Sequence, residues 1–408
     1  MTTKKQIVGA AFGCVLLSAC AGGPSILNSD PTPANELAED FMRTHGGPDS
    51  NMAPANVGPF TIHTSRGRGA DTHPEITGSG DDTWLYFSSD RDGSGHNIYR
   101  KRPDGKSLEM ITSDASDELW PRVSPCGCCL AFGSNKLGNW DIYLLDLRNL
   151  KRPPVVLTAG CKNDDIHPTW APDGSGIVYA SWADLVDDYV LTMAQLSCES
   201  CDMPAKQPEM PAENKPASMP GVDGNQNFVF AELPGMTKEA PADAMPEKTE
   251  GYPMVTSRGP LLTNHGEMVT GMHPDFRPVK GEKLLVYQDY RKSGVAWNGV
   301  RTYDLMSGIV TLLQTSDMHG AIQPRWNHDG SRIVYTTVAK DGKPENACGG
   351  DGFGVATPDG QLIFDVRNPT FMNKVADPTW VRYMGEDRVF FSAMKDESEF
   401  IASVKIEK

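Results

Sequence analysis

Basic residues are scarce in this chain: 38 Lys and Arg stand against 53 Asp and Glu, a formal net charge of −15. Phosphate neutralisation needs clustered cations, so nucleic acid is excluded as a principal partner, and so is an anionic membrane surface. Long apolar runs are lacking too, since the stretch Ile7 to Leu17 is too short to cross a bilayer. No Gly-x-Ser-x-Gly is present, which removes the nucleophile elbow of serine hydrolases. No Gly-x-x-x-x-Gly-Lys-Ser/Thr is present to cradle nucleotide phosphates. Gly349 to Gly354 is Gly-rich but has no helix after it, and it reads as a loop. Neither Cys-x-x-Cys pair is followed by His, so covalent haem attachment is unsupported.

What the chain does have is turns. Its 40 Gly and 31 Pro are too many for long helices, while 39% apolar residues suffice for a packed core. Six Pro residues open similar segments: Pro74, Pro121, Pro168, Pro274, Pro324 and Pro378, spaced by 47, 47, 106, 50 and 54 residues. The spacing of 106 is either one period plus an insertion or two periods compressed around one. Behind each Pro come a short apolar stretch, a turn and a strand-like run. Pro172-Asp173-Gly174-Ser175 and His328-Asp329-Gly330-Ser331 are hairpin turns, followed by Ile177-Val178-Tyr179 and Ile333-Val334-Tyr335. Third strands begin near Asn97, Asp141, Tyr189, Val300 and Phe400, and fourth strands end near Thr112, Thr158 and Thr263.

Four short strands per repeat of about 50 residues match one propeller blade. The last copy runs out of chain before its fourth strand, and Pro59 to His63 has the character of that strand. The expected fold is therefore all-β: a six-bladed propeller over residues 59–408, closed by its N-terminal strand. Pro168 to Tyr179 and Ser88 to Tyr99 resemble the WD40-like repeats of the TolB-like propeller family. That resemblance implies the fold and leaves function open, because such blades serve as scaffolds, peptidase gates and lyases.

The N-terminus reads as an address. Lys4 and Lys5 precede the apolar run, which ends in Leu17-Ser18-Ala19-Cys20. This resembles the lipobox of bacterial lipoproteins. The resemblance implies a signal peptide over 1–19, lipid attachment at Cys20, and export to the outer membrane, on its periplasmic or cell-surface side. Residues 20–58 read as a flexible tether. Residues 197–254 interrupt the repeat with nine Pro, six Met and ten acidic residues, the composition of a loosely ordered insertion.

Seven cysteines follow Cys20, an odd number. Cys126 with Cys129 and Cys198 with Cys201 have the two-residue gap of a local disulfide or of half a zinc site. The residues before the repeat prolines form a second group: His73, Trp120, His167, His273, Gln323 and Asp377. In a propeller each begins an innermost strand, so all six ring the channel mouth. His73, His167, His273, Gln323 and Asp377 are candidate ligands for a divalent metal, or for an anionic or sugar-like ligand. The other reading is polar residues bonding across a wet channel.

No cofactor is required by these motifs. The expected function is that of a monomeric, lipid-anchored scaffold of the cell envelope that binds proteins or glycans without catalysis. The alternative is a metal-dependent lyase or hydrolase acting on a carbohydrate at the His-lined mouth. That arrangement is similar to oligogalacturonate lyases, which place His and Gln ligands on a propeller.

Overall fold

Strand runs this short bury their faces only by pairing with chain neighbours and stacking on the next sheet. The computed structural model describes residues 57–64, 69–78, 82–160, 162–197, 252–289, 299–313, 319–339, 350, 352–367, 374–395 and 398–407. Every strand in it belongs to one of six four-stranded antiparallel sheets. One strand, β1 (Val57–Ile62), precedes the first repeat. Blade 1 is β2 (Asp71–Thr77), β3 (Trp84–Ser89), β4 (Asn97–Lys101) and β5 (Glu109–Met110). Blade 2 is β6 (Glu118–Val123), β7 (Cys129–Ser134), β8 (Asp141–Asp146) and β9 (Val155–Val156). Blade 3 is β10 (Asp165–Trp170), β11 (Gly176–Ala183), β12 (Asp188–Ser197) and β13 (Met254–Pro260). Blade 4 is β14 (Met272–Phe276), β15 (Leu284–Asp289), β16 (Gly299–Asp304) and β17 (Ile309–Leu313). Blade 5 is β18 (His319–Trp326), β19 (Ile333–Ala339), β20 (Gly352–Ala356) and β21 (Leu362–Arg367). Blade 6 is β22 (Lys374–Tyr383), β23 (Glu386–Lys395) and β24 (Ser398–Ile406), completed by β1.

The first strands touch in a closed circle, β2 to β6, β10, β14, β18, β22 and back to β2, and so they line the axis. The spacing of 106 is one period plus an insertion, because β12 pairs directly with β13 across it. The insertion reading spans 197–254, and the signal and tether readings span 1–58. Residues 198–251 and 1–56 lie outside the described residues. Ser197 ends β12, Met254 begins β13, and residues 57 and 58 belong to β1 instead of the tether. A second expectation is corrected. The Gly-rich stretch read as a loop contains strand β20, whose Gly354 faces the ring of Tyr335. A Cβ at Gly354 would stand 2.4 Å from Tyr335 Cζ, so glycine here marks a close approach within a strand.

Among the described residues the core is divided into several clusters. Apolar side chains gather between neighbouring blades, as in Tyr86, Ile98, Phe132 and Tyr143 between blades 1 and 2. Closure of the circle is well bonded. β1 pairs with β24 through Phe60↔Val404, Thr61↔Ser403 and Ile62↔Ala402. Beyond its end, His63 bonds Pro103 O through Nδ1 at 3.0 Å and Ser403 Oγ through Nε2 at 2.8 Å. Lys101 Nζ donates to His63 O, and Arg388 Nη2 donates to Thr61 Oγ1. Blades 1 and 6 are thereby tied to the same strand.

Candidate functional site

Each innermost strand carries a register shift two residues wide, and its αL residue is the one before the repeat proline. His73, Trp120, His167, His273, Gln323 and Asp377 all have φ between 50° and 57°. Such a conformation costs a non-glycine residue about 1–2 kcal/mol, and a bulge re-aims the side chain it carries. Because all six blades share it whatever the side chain, the strain belongs to the architecture. Three of the bulge NH groups donate to side chains of the preceding blade. His73 N donates to Ser392 Oγ at 3.0 Å, Gln323 N to Gln288 Oε1 at 3.1 Å, and Asp377 N to Gln323 Oε1 at 3.1 Å.

The six expected residues do meet at the mouth. His73 lies edge-on to Trp120 with centroids 5.8 Å apart, and Trp120 lies edge-on to His167 at 4.5 Å. His167 stacks on His273 at 3.6 Å. Asp377 Oδ2 is 3.6 Å from His73 Nε2. Trp120 fits because Gly133 lies beneath it, where a Cβ would come within 2.8 Å of Trp120 Cε3. His167 is 9% exposed, and its Nδ1 has no hydrogen-bond partner among the described residues.

Burial keeps the three imidazoles neutral. It pushes His273 down to about 3, helped by Arg122, and holds His73 and His167 well below their ordinary value. Burial also lifts Asp377 to about 6, against the pull of Arg122 and Arg325. The mouth is therefore a neutral aromatic and imidazole wall with one carboxyl group that titrates near pH 6.

Beneath the ring lies a set of charges that the sequence reading missed. Two residues further along their strands, Glu75, Arg122, Asp275 and Arg325 form one network. Glu75 Oε2 is 2.8 Å from Arg325 Nη2 and 3.4 Å from Arg122 Nη1, and Arg325 Nε is 3.6 Å from Asp275 Oδ1. Glu75 belongs to blade 1 and Arg325 to blade 5, so this contact joins two inner strands that are not neighbours, past blade 6. The available signal was the residue after each repeat proline, which alternates in sign between blades 1 and 2 and again between blades 4 and 5.

The expected metal ligands do not fit a shared ion. An ion held by ring nitrogens lies near each ring plane, and the face-to-face stack of His167 on His273 denies it that position. Gln323 Oε1 already accepts from Thr336 Oγ1 and Asp377 N, so it is an architectural acceptor. Among the described residues no three His, Cys, Asp or Glu side chains are placed to hold a metal ion.

The cysteine expectation also changes. Cys126 is bonded to Cys128, not Cys129, with Cα atoms 5.4 Å apart, in the turn between β6 and β7. In blade 3 the equivalent turn is closed by Ser175 Oγ donating to Asp173 Oδ1 at 2.6 Å. The bridge occupies the same two positions. Cys129 is buried beside it, and Leu196 near the end of β12 packs in the same cluster. Cys198, Cys201 and Cys20, where lipid attachment is expected, lie outside the described residues.

No family model matches the chain. Over 150 residues it is 33% identical to a TolB homolog of Chlorobium luteolum, covering 35% of this chain and 32% of that protein. An uncharacterised protein of Agrobacterium fabrum is 29% identical over 126 residues, covering 29% of this chain and 42% of that protein. The matched segments thus span less than half of either curated relative. Among solved structures, TolB from Acinetobacter baumannii aligns at 10% identity over 82% of this chain and 79% of its own, with a TM-score of 0.43. Oligogalacturonate lyase from Vibrio parahaemolyticus aligns at 11% identity over 87% and 95%, with a TM-score of 0.45. The repeat and the six closed sheets make this chain a six-bladed β-propeller, and part of it is similar to a TolB homolog.

Proposed function

We propose that this propeller is a cell-envelope binding module whose partner, a protein or a glycan, engages the ring at the channel mouth. The supporting observation is that six blades deliver six different strands to one place, where a buried His167 nitrogen keeps bonding capacity that the described residues do not use. The ring has aromatic and imidazole surface for contact, and its histidines hydrogen-bond without carrying charge. The likeness to a TolB homolog supports an envelope protein as partner, and the lipobox resemblance supports anchoring through Cys20 at the outer membrane.

The test is photo-crosslinking in intact cells. A crosslinker at the exposed residue Ser113 or Lys162 stands beside the entry to the inner strands, on the ring face. One at Asp173 or Asp329 stands on the turns at the opposite face. Capture from the ring face, lost in a Trp120→Ala variant, is the expected result. Capture from the opposite face alone would overturn the proposal. Replacing Cys20 by Ala should release the protein from membranes if the anchor reading holds.

A further inference from the structure

Blade 2 carries a covalent bond in its β6–β7 turn where blades 3 and 5 manage without one. Gly127 N donates to Ser124 O at 2.8 Å, and Ser124 N to Cys129 O at 2.8 Å. Blade 3 repeats both bonds, Gly174 N to Ala171 O at 2.8 Å and Ala171 N to Gly176 O at 2.9 Å. Blade 5 does the same, with Gly330 N to Asn327 O at 3.0 Å and Asn327 N to Arg332 O at 2.9 Å. The turn glycines Gly127, Gly174 and Gly330 have φ of 71°, 72° and 71°. Asp173 with Ser175, and Asp329 with Ser331, complete this backbone without sulfur. The frame therefore needs no bridge, and the Cys126–Cys128 bond can open and close on it without rearranging the blade.

The surroundings of the bridge are suited to that chemistry. Cys126 is its reachable half: it is half-buried between the exposed residues Pro125 and Gly127. A Cβ on Gly127 would meet nothing within 4 Å among the described residues. Cys128 is 8% exposed, Cys129 2% and Ser124 5%. Ser124 Oγ accepts from Cys129 N at 3.0 Å, which leaves its own hydrogen for a sulfur. That oxygen lies 3.2 Å from Cys126 Sγ and 3.8 Å from Cys128 Sγ. Cys129 Sγ is 3.8 Å from Cys128 Sγ. Blades 3 and 5 have Ala171 and Asn327 where Ser124 stands, and Gly176 and Arg332 where Cys129 stands. Among these three turns, a hydroxyl and a third sulfur accompany only the bridge. Both can donate to a thiolate formed at Cys128.

We propose that the Cys126–Cys128 bridge is a thiol–disulfide exchange site whose substrate is a thiol arriving at Cys126. The substrate thiolate forms an S–S bond to Cys126 Sγ, and the Cys126–Cys128 bond breaks. Its electron pair stays on Cys128 Sγ, where the Ser124 hydroxyl donates to the new thiolate. A second substrate thiolate then attacks the substrate sulfur of the mixed disulfide and releases Cys126. The substrate dithiol is oxidised by two electrons, the bridge is reduced by two, and the two substrate protons pass to Cys126 and Cys128. Ser124 is a positioning residue in this step. The site lies on the turns facing away from the ring, so its chemistry is independent of partner binding there.

The test uses the full chain in a glutathione buffer holding both thiol and disulfide forms, with peptide mapping to read every cysteine. In the native chain the bridge should exchange, with glutathione found on Cys126. A Cys128→Ser, Cys129→Ser variant lacks a neighbouring thiol to displace glutathione and should accumulate it on Cys126. A Cys126→Ser, Cys129→Ser variant, whose thiol is the buried Cys128, should react at least about tenfold more slowly. Ser124→Ala should slow exchange by about threefold to tenfold while the urea midpoint of unfolding stays put. The dithiol peptide acetyl-Cys-Gly-Gly-Cys-amide should leave with its own disulfide closed, one peptide oxidised for each bridge reduced. A rate at least about tenfold above that of glutathione identifies a protein dithiol as the substrate, and a rate at or below it a small thiol. A bridge that stays intact in the native chain, in a buffer that reduces it in urea, would overturn the proposal without recourse to any variant. So would equal capture at Cys126 and Cys128, or an unchanged rate in Ser124→Ala.

Discussion

Two buried histidines, His63 at the closure of the circle and His167 in the channel ring, differ in what their nitrogens bond. His63, at the closure of the circle, is 2% exposed and stacks on Phe390 with centroids 4.6 Å apart. Burial pushes it down to about 3. His167, in the channel ring, is also buried, stacked and held neutral. Both nitrogens of His63 are bonded within the protein, to Pro103 O and Ser403 Oγ. His167 Nδ1 is not bonded among the described residues. Burial and a depressed pKa are therefore common to a structural histidine and a candidate ligand-binding one, and spare hydrogen-bonding capacity separates them.

The largest effect expected from this contrast is on stability. Deleting residues 57–64 should remove the strand that pairs with β24 and abolish a single cooperative unfolding transition, followed by circular dichroism in urea. Within the intact chain, His63→Ala should cost about 3 kcal/mol, because two buried bonds and a stack are lost together. His167→Ala should cost about 1–2 kcal/mol, since the stack on His273 is lost but its Nδ1 gives up no bond among the described residues. Equal losses would dissolve the distinction.

A middle-sized effect is expected from the support of the ring. Gly133→Ala places a methyl group against Trp120 and should cost about 1–3 kcal/mol by overpacking. Near-ultraviolet dichroism should report the shifted indole, and ring-face crosslinking should fall with it. A variant with unchanged dichroism would mean that Trp120 is not held as described.

The pH dependence sharpens the contrast further. His63 titrates at about 3 in the fold and near 6.5 when unfolded, so the unfolded chain takes up the proton first. Its contribution is present above pH 6.5 and is lost as the pH falls toward 3, at about 1.4 kcal/mol per unit. Glu118 and Asp165, lifted by burial to about 7, act in the opposite sense and are common to both proteins compared. His63→Gln should therefore show a smaller loss of urea midpoint between pH 7 and pH 4.5 than wild type. An equal loss would place the acid sensitivity elsewhere.

The smallest effect concerns the bridge in blade 2. Cys126 and Cys128 are two positions apart, so the bridge closes a very short loop, worth about 1–2 kcal/mol by chain entropy. A Cys126→Asp, Cys128→Ser double variant restores the residue pair that blade 3 uses at Asp173 and Ser175. Its stability should lie within about 1 kcal/mol of wild type, measured in urea.

The blades, their number and the closing strand were legible because the six prolines and hairpin turns repeat, and repetition is visible without structure. The ring was legible for the same reason: each member precedes one of those prolines. Its chemistry was less so. That Gln323 spends its oxygen on Thr336 and Asp377 depends on which neighbour the bulge brings near. The meeting of Glu75 with Arg325 joins residues 250 positions apart from blades that are not neighbours, and no local pattern encodes that distance. The β20 strand was hidden because Gly352 and Gly354 carry a loop's composition, while the reason for Gly354 is the ring of Tyr335. The pairing of Cys126 with Cys128 ran against the two-residue spacing expected of a local bridge.

The most direct measurement is an imidazole ¹⁵N NMR titration of the full chain with the partner retrieved by ring-face crosslinking. Resonances of His167, and with it His73 and His273, should move on binding. Those of His63 should stay fixed, because both of its nitrogens are already engaged. A saturated complex in which no ring histidine moves would contradict the claim that the channel mouth is the binding site, and so would one in which His63 moves as far as His167.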